Sequence, residues 1–140
     1  MAAQRRSRQP IPLSTDENTQ HRLRALESDS KDPWRGDTGW TNLTLAGTYT
    51  NGTPALAYRK IGGVVYVRGY VNQNSNASGG TIATLPAGFR PGGGTWRFAA
   101  GGLSGANMAV IDIETGGAIK WFGAFNTGAV GISTCFPAEN

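Results

Sequence analysis

Residues 57–71 read A-Y-R-K-I-G-G-V-V-Y-V-R-G-Y-V, two alternating runs joined by Gly62-Gly63. Val65, Val67 and Val71 recur at period two with Gly69 among them, and Tyr66, Arg68 and Tyr70 fall between them. A strand with one face on a core and the other toward solvent has this pattern. Residues 55–61 are its expected antiparallel partner. A two-residue hairpin needs positive backbone angles at its centre, and glycine supplies them without steric cost.

Outward from this hairpin the same signals repeat. Asn51-Gly52 marks a second turn, expected to fold the run 42–50, with Leu43, Leu45 and Tyr49 on one face, back onto 55–61. The Asn/Ser/Gly run 72–80 is expected to be an exposed loop. Residues 81–85 then form a short strand stopped by Pro86, which lacks the N–H that a central ladder needs. Residues 95–100 alternate Trp96 and Phe98 against Thr95, Arg97 and Ala99. In 108–114, Ile111 and Ile113 oppose Val110, Asp112 and Glu114; the chain turns at Thr115-Gly116-Gly117 and returns as 118–122. Val130, Ile132 and Thr134 alternate against Gly131, Ser133 and Cys135. About eight short strands at this spacing predict an all-β fold, an antiparallel β-sandwich or jelly-roll-like head.

Composition divides the chain. All 21 glycines lie at or after Gly36 and the first aromatic residue is Trp34, so residues 1–36 are read as an arm with a short helix and 37–140 as the β head. The glycines have no G-X-Y period, which excludes collagen and favours turn-dense β structure. A head of about 105 residues can bury a real core yet is only modestly stable alone. Pro10 and Pro12 favour an extended arm over 1–13. Ser14 with Glu17 is a capping-box signature, and 14–30 contains neither Gly nor Pro, which predicts one helix ended before Pro33. Leu23 and Leu26, with Thr19 and Ser30, have the 4-3-4 spacing of a coiled-coil seam too short to associate alone. They are candidate trimer contacts, or they dock on the head of their own chain.

The net charge of +4 is divided evenly, with seven cations against five carboxylates in residues 1–36 and six against four in the remainder. Arg5, Arg6 and Arg8 form the cluster. They are candidate anchoring residues for an acidic protein surface or phosphates, or else a solubilising tail. The scattered cations of the head, without a recognition-helix pattern, make nucleic-acid binding unexpected there. No apolar run approaches a membrane span and the amino terminus lacks a secretory h-region, so cytosolic synthesis and no membrane partner are expected.

The stock of reactive groups is thin. His21 is the sole histidine and falls on the predicted helix. Cys135, the sole cysteine, has no histidine in the head to activate it and is expected to be a buried structural thiol. One histidine and one cysteine do not make a zinc site. Asp112 and Glu114 share a strand face, where solvated charges are expected rather than a catalytic pair. Gly92-Gly93-Gly94-Thr95 lacks the Lys-Ser/Thr ending of a phosphate loop and is read as a flexible connection. No catalytic residue, cofactor or metal is therefore expected. Trp96 and Trp121 are expected in the core, with an exposed platform against sugar rings as the alternative. Tyr66 and Tyr70, opposite the valines, are candidates for a ligand surface or subunit interface, together with Asn74 and Asn76 in the 72–80 loop and Asn107 in the 101–107 loop.

Three segments carry a resemblance: G-W-T-N-L-T-L at 39–45, Y-R-K-I-G-G-V-V-Y-V-R-G at 58–69 and T-L-P-A-G-F-R-P at 84–91. They resemble the head domain of fibre and minor tail proteins of tailed bacteriophages, particularly phages of Gram-positive and actinobacterial hosts, from about Gly39 to the carboxyl end. The resemblance implies a virion protein, a homotrimer of β heads that contacts the host cell surface; a host cell-wall glycan is the candidate ligand, and residues 1–36 are the expected attachment to other phage proteins of tail or capsid. The chain departs from long members in having about 36 residues where they have a shaft. A capsid decoration protein is the alternative, and a free carbohydrate-binding module a second.

Overall fold

The computed structural model describes residues 17–24, 36–73, 79–102, 108–123 and 128–140, and the chain divides into two units, Met1–Arg35 and Gly36–Asn140. In the first, residues 17–24 form a helix on which His21 is exposed and Leu23 is 48% exposed. Leu26, the remainder of the expected 14–30 span, and Arg5, Arg6 and Arg8 lie outside the described residues.

The second unit contains nine strands: β1 (Thr41–Asn42), β2 (Tyr49–Asn51), β3 (Ala57–Ile61), β4 (Val64–Gln73), β5 (Gly79–Thr84), β6 (Trp96–Gly102), β7 (Met108–Ile113), β8 (Ala118–Phe122) and β9 (Ala129–Pro137). All join one antiparallel sheet in the order β1-β3-β4-β9-β6-β7-β8-β5, with β2 beside the distal part of β4. An antiparallel bridge from Leu45 to Ala83 and the Ala46 N–H donated to the Ile82 carbonyl at 2.7 Å bring the segment after β1 to β5. The two ends of the strand order thus meet, and the sheet curls around one core. Leu56, Val65, Val67, Val71, Ile82, Leu85, Ile111, Ile113, Ile119, Trp121 and Phe136 fill it, each under 2% exposed. The all-β antiparallel expectation stands; the layers facing each other across the core belong to one continuous sheet.

The central hairpin forms as the sequence predicts. Gly62 and Gly63 have φ of +54° and +90°, and Ile61 pairs with Val64 across them. Val65, Val67 and Val71 face the core with Gly69, while Tyr66, Arg68 and Tyr70 face outward.

Asn51-Gly52 is not a hairpin turn, because β2 pairs with β4 rather than β3. The Asn51 side-chain oxygen accepts the Leu56 N–H at 3.1 Å. Gly52 N–H donates to the Tyr70 carbonyl at 2.8 Å, and Tyr70 N–H to the Pro54 carbonyl at 2.9 Å. β2 and β3 therefore lie end to end along one edge of β4, and residues 52–56 bulge out opposite Gly69 and Tyr70 instead of folding back. The bulge comes closest at Gly69, where φ is +140° and a Cβ would overlap the Ala55 carbonyl oxygen and lie 2.5 Å from Leu56 Cα. Only glycine fits there.

Other boundaries shift for local reasons. The run 42–50 divides into β1 and β2 because its middle leaves β3 to reach β5. β4 continues through Gln73 and β5 begins at Gly79, so residues 72, 73, 79 and 80 belong to strands and not to an exposed loop, and Asn74 and Asn76 lie outside the described residues. Gly101 and Gly102 belong to β6; Asn107 is likewise outside. Gly92 is packed rather than free, its N–H donating to the Pro137 carbonyl at 3.0 Å.

Two burial expectations are corrected. Trp121 is core, but Trp96 is 41% exposed and sits at the rim, its indole N–H donating to the Thr134 hydroxyl at 3.1 Å. Cys135 is exposed: Phe136 takes the inward position on β9, and strand alternation turns its neighbour outward.

Candidate functional site

Three adjacent strands, β3, β4 and β9, present one outer face. Antiparallel register places Arg59 and Cys135 on either side of Tyr66, Ala57 and Ser133 on either side of Arg68, and Gly131 beside Tyr70. Directly opposed residues share a face, so alternation in β4 carries its neighbours with it.

Trp40, immediately before β1, lies across this face. The Arg68 guanidinium carbon is 3.9 Å from the Trp40 ring centroid. That of Arg59 is 4.7 Å from Trp40 and 5.6 Å from the Tyr66 ring. Both guanidiniums use the electron-rich ring faces. Arg59 also forms a 3.5 Å ion pair with Asp37. Arg68 is exposed, and the ion pairs of the described residues give it no carboxylate.

Beside Arg68 a groove of about 350 Å³ opens between Pro54, Tyr70, Gly131 and Ser133. Its walls follow from the bulge described above: the Tyr70 N–H donated to the Pro54 carbonyl, with the Gly52 N–H donated to the Tyr70 carbonyl, holds Pro54 beside β4. Gly131 has no side chain to stand against the Tyr70 ring; a Cβ there would be 3.0 Å from Tyr70 Cε1. The ring therefore extends toward β9 as a flat wall.

The outer face of β6, β7 and β8 differs. Arg97 donates two hydrogen bonds to Asp112, Nε to Oδ1 at 2.7 Å and Nη2 to Oδ2 at 2.6 Å, and Lys120 pairs with Glu114 at 2.7 Å. Asp112 is not a solvated charge, being 5% exposed. The Arg97 hydrogen bonds hold its carboxyl below the ordinary carboxylate range, against burial, which pushes it up; the charges of Arg97 and Lys120 reinforce the lowering. An acid held ionised by a two-pronged bond is poorly placed to move protons. Next to this pair Met108, Val110 and Phe122 stand 73%, 39% and 46% exposed. Gly79, Gly80, Thr81, Lys120 and Phe122 line a second open cleft of about 350 Å³.

The sequence candidates separate accordingly. Tyr66 and Tyr70 lie on one outer face, with Tyr70 on the groove. Leu23 is an exposed position of the helix; Arg5, Arg6, Arg8, Leu26, Asn74, Asn76 and Asn107 lie outside the described residues. Sequence reasoning missed Trp40 and Arg68. The period-two position of Arg68 between the tyrosines signalled it, whereas Trp40 lies in no periodic run. Among the described residues no group of three or more His, Cys, Asp or Glu is placed to hold a metal ion, and no helix is long and apolar enough to cross a membrane.

The fold is shared with bacteriophage receptor-binding proteins. The receptor-binding protein gp15 of Listeria phage PSA superposes with a TM-score of 0.67 at 18% identity, over 92% of this chain and 82% of that one. The head domain of the lactococcal phage bIL170, described among receptor-binding domains, superposes with a TM-score of 0.54 at 21% identity, over 71% of this chain and 97% of its own. At these identities what is shared is the fold. No family model matches the chain, and no curated protein matches it.

Proposed function

We propose that this chain is a receptor-binding protein of a tailed bacteriophage, a non-enzymatic virion component that contacts a saccharide of the host cell surface through the outer face of β3, β4 and β9. The observation that carries this reading is the groove beside Tyr70 and Arg68, on a head whose fold recurs in two phage receptor-binding proteins. An open groove with an aromatic wall and a few polar groups suits the flat, amphipathic face of a sugar ring. Both named neighbours are receptor-binding proteins, which favours this reading over shell decoration.

In this proposal the head works as a homotrimer, so that three weak grooves act together on a repetitive surface. Met108, Val110 and Phe122 support it as an apolar stripe suited to burial against another copy. Residues 1–36, with Arg5, Arg6 and Arg8, would attach the trimer to other phage proteins, and Leu23 and Leu26 would add a short helical contact.

Labelled full-length chain incubated with a panel of intact Gram-positive cells and isolated cell walls tests the reading. Saturable binding to some members, competed by unlabelled chain, is expected. Absence of saturable binding across the panel contradicts it.

A further inference from the structure

We infer that the groove selects a sugar carrying a negatively charged substituent, phosphate or carboxylate, and that Arg68, held by Trp40, is the residue that reads the charge. This rests on the receptor-binding reading and specifies its ligand.

One face of the Arg68 guanidinium is stacked on Trp40, 3.9 Å from the ring centroid. That contact orients the planar group and leaves its N–H edges for another acceptor. The nearby carboxylate, Asp37, is engaged with Arg59, and none of the residues lining the groove is acidic. The groove therefore carries positive charge that its own walls do not neutralise. A neutral sugar covering it replaces the lost water with hydroxyl acceptors only, whereas an anionic one offers charged acceptors and the stronger bonds of a guanidinium–anion pair.

The register supplies the rest of a sugar site. Ser133 lies opposite Arg68 and offers a hydroxyl. Tyr70 follows Arg68 by two residues on the same face, about 7 Å along the strand. One pyranose ring on Tyr70 with its charged substituent at Arg68 spans that separation. Pro54 closes the far side.

The test is a titration of isotope-labelled full-length chain, followed by nuclear magnetic resonance, with two pairs of sugars that differ in charge. N-acetylglucosamine 1-phosphate is compared with N-acetylglucosamine, and glucuronic acid with glucose, each to about 10 mM, the range of weak single-site binding. Shifts centred on Arg68, Tyr70 and Ser133 are expected, with at least one charged sugar binding about tenfold or more tightly than its neutral parent, as one charge-assisted bond implies. Which pair shows the larger ratio distinguishes phosphate from carboxylate. R68Q should bring the charged sugars to the affinity of their neutral parents; R68K, which keeps the charge but loses the planar stack, should fall between. Equal affinities within both pairs, shifts confined to other surfaces, or no response to either charged sugar would overturn the inference. If the chain binds cell walls but R68Q binds them equally well, the Arg68 assignment fails and the receptor reading stands. If the chain binds no cells, the receptor reading fails by itself.

Discussion

Trp121 on β8 donates its indole N–H to the hydroxyl of Tyr49 on β2, a bond between strands that are not neighbours in the sheet. With the Leu45–Ala83 bridge it ties the ends of the strand order together and closes the sheet around its core. Removing the hydroxyl with Y49F should lower stability by about 1 kcal/mol, the worth of a partly buried hydrogen bond. Urea denaturation would show this as a reduced midpoint with an unchanged slope.

The close approach of Ala55 and Leu56, in the bulge 52–56, makes Gly69 the least replaceable glycine of the hairpin. G69A should cost at least about 2 kcal/mol, because the new methyl meets backbone that does not move aside and φ is positive. G62A, where φ is +54° and nothing lies within 4 Å, should cost about 1 kcal/mol. Equal losses in thermal unfolding of the two variants would contradict the close approach at Gly69.

Asp112 gives the head a predictable acid response. Its carboxyl is held below the ordinary value by Arg97, so it binds protons less readily folded than unfolded. Its contribution is complete above the unfolded carboxylate pKa and is lost as pH falls through the lowered folded value. Arg97 is largely exposed, so solvent screens the pair and D112N should cost only about 1 kcal/mol at neutral pH. The wild-type advantage over D112N should shrink as pH falls below about 4. An advantage that is constant with pH would remove the ion pair from the account.

Cys135 is exposed on the outer face and opposite Tyr66 in register. Ellman's reagent should titrate one thiol per native chain without denaturant. A bulky maleimide placed there should weaken cell-wall binding several-fold by covering the neighbouring face. A thiol that reacts only after unfolding would contradict its placement.

Much of this architecture is legible in the sequence. Valine alternation fixed which residues of β4 face in, and the same alternation put Tyr66, Arg68 and Tyr70 together outside. Gly62-Gly63 fixed one pairing. Asn51-Gly52 misled because an Asn-Gly pair reports a bend and not which strand follows it; the Gly52 and Tyr70 backbone bonds that redirect the chain join residues far apart in sequence. Closure through Tyr49 and Trp121, separated by 72 positions, has no local signal. Trp40 escaped notice for the same reason, since its role comes from arginines on β3 and β4. Cys135 and Asp112 show the limits of residue-type averages: strand parity exposes one, and an arginine across the ladder covers the other.

The most direct test of the central claim is hydrogen exchange of the full-length chain with and without saturating isolated cell-wall polysaccharide from a strain that it binds. The account predicts added protection concentrated in residues 66–72 and 129–135, the strands carrying Tyr66, Arg68, Tyr70 and Ser133. Protection confined to β6, β7 and β8, with β4 and β9 unchanged, would contradict it.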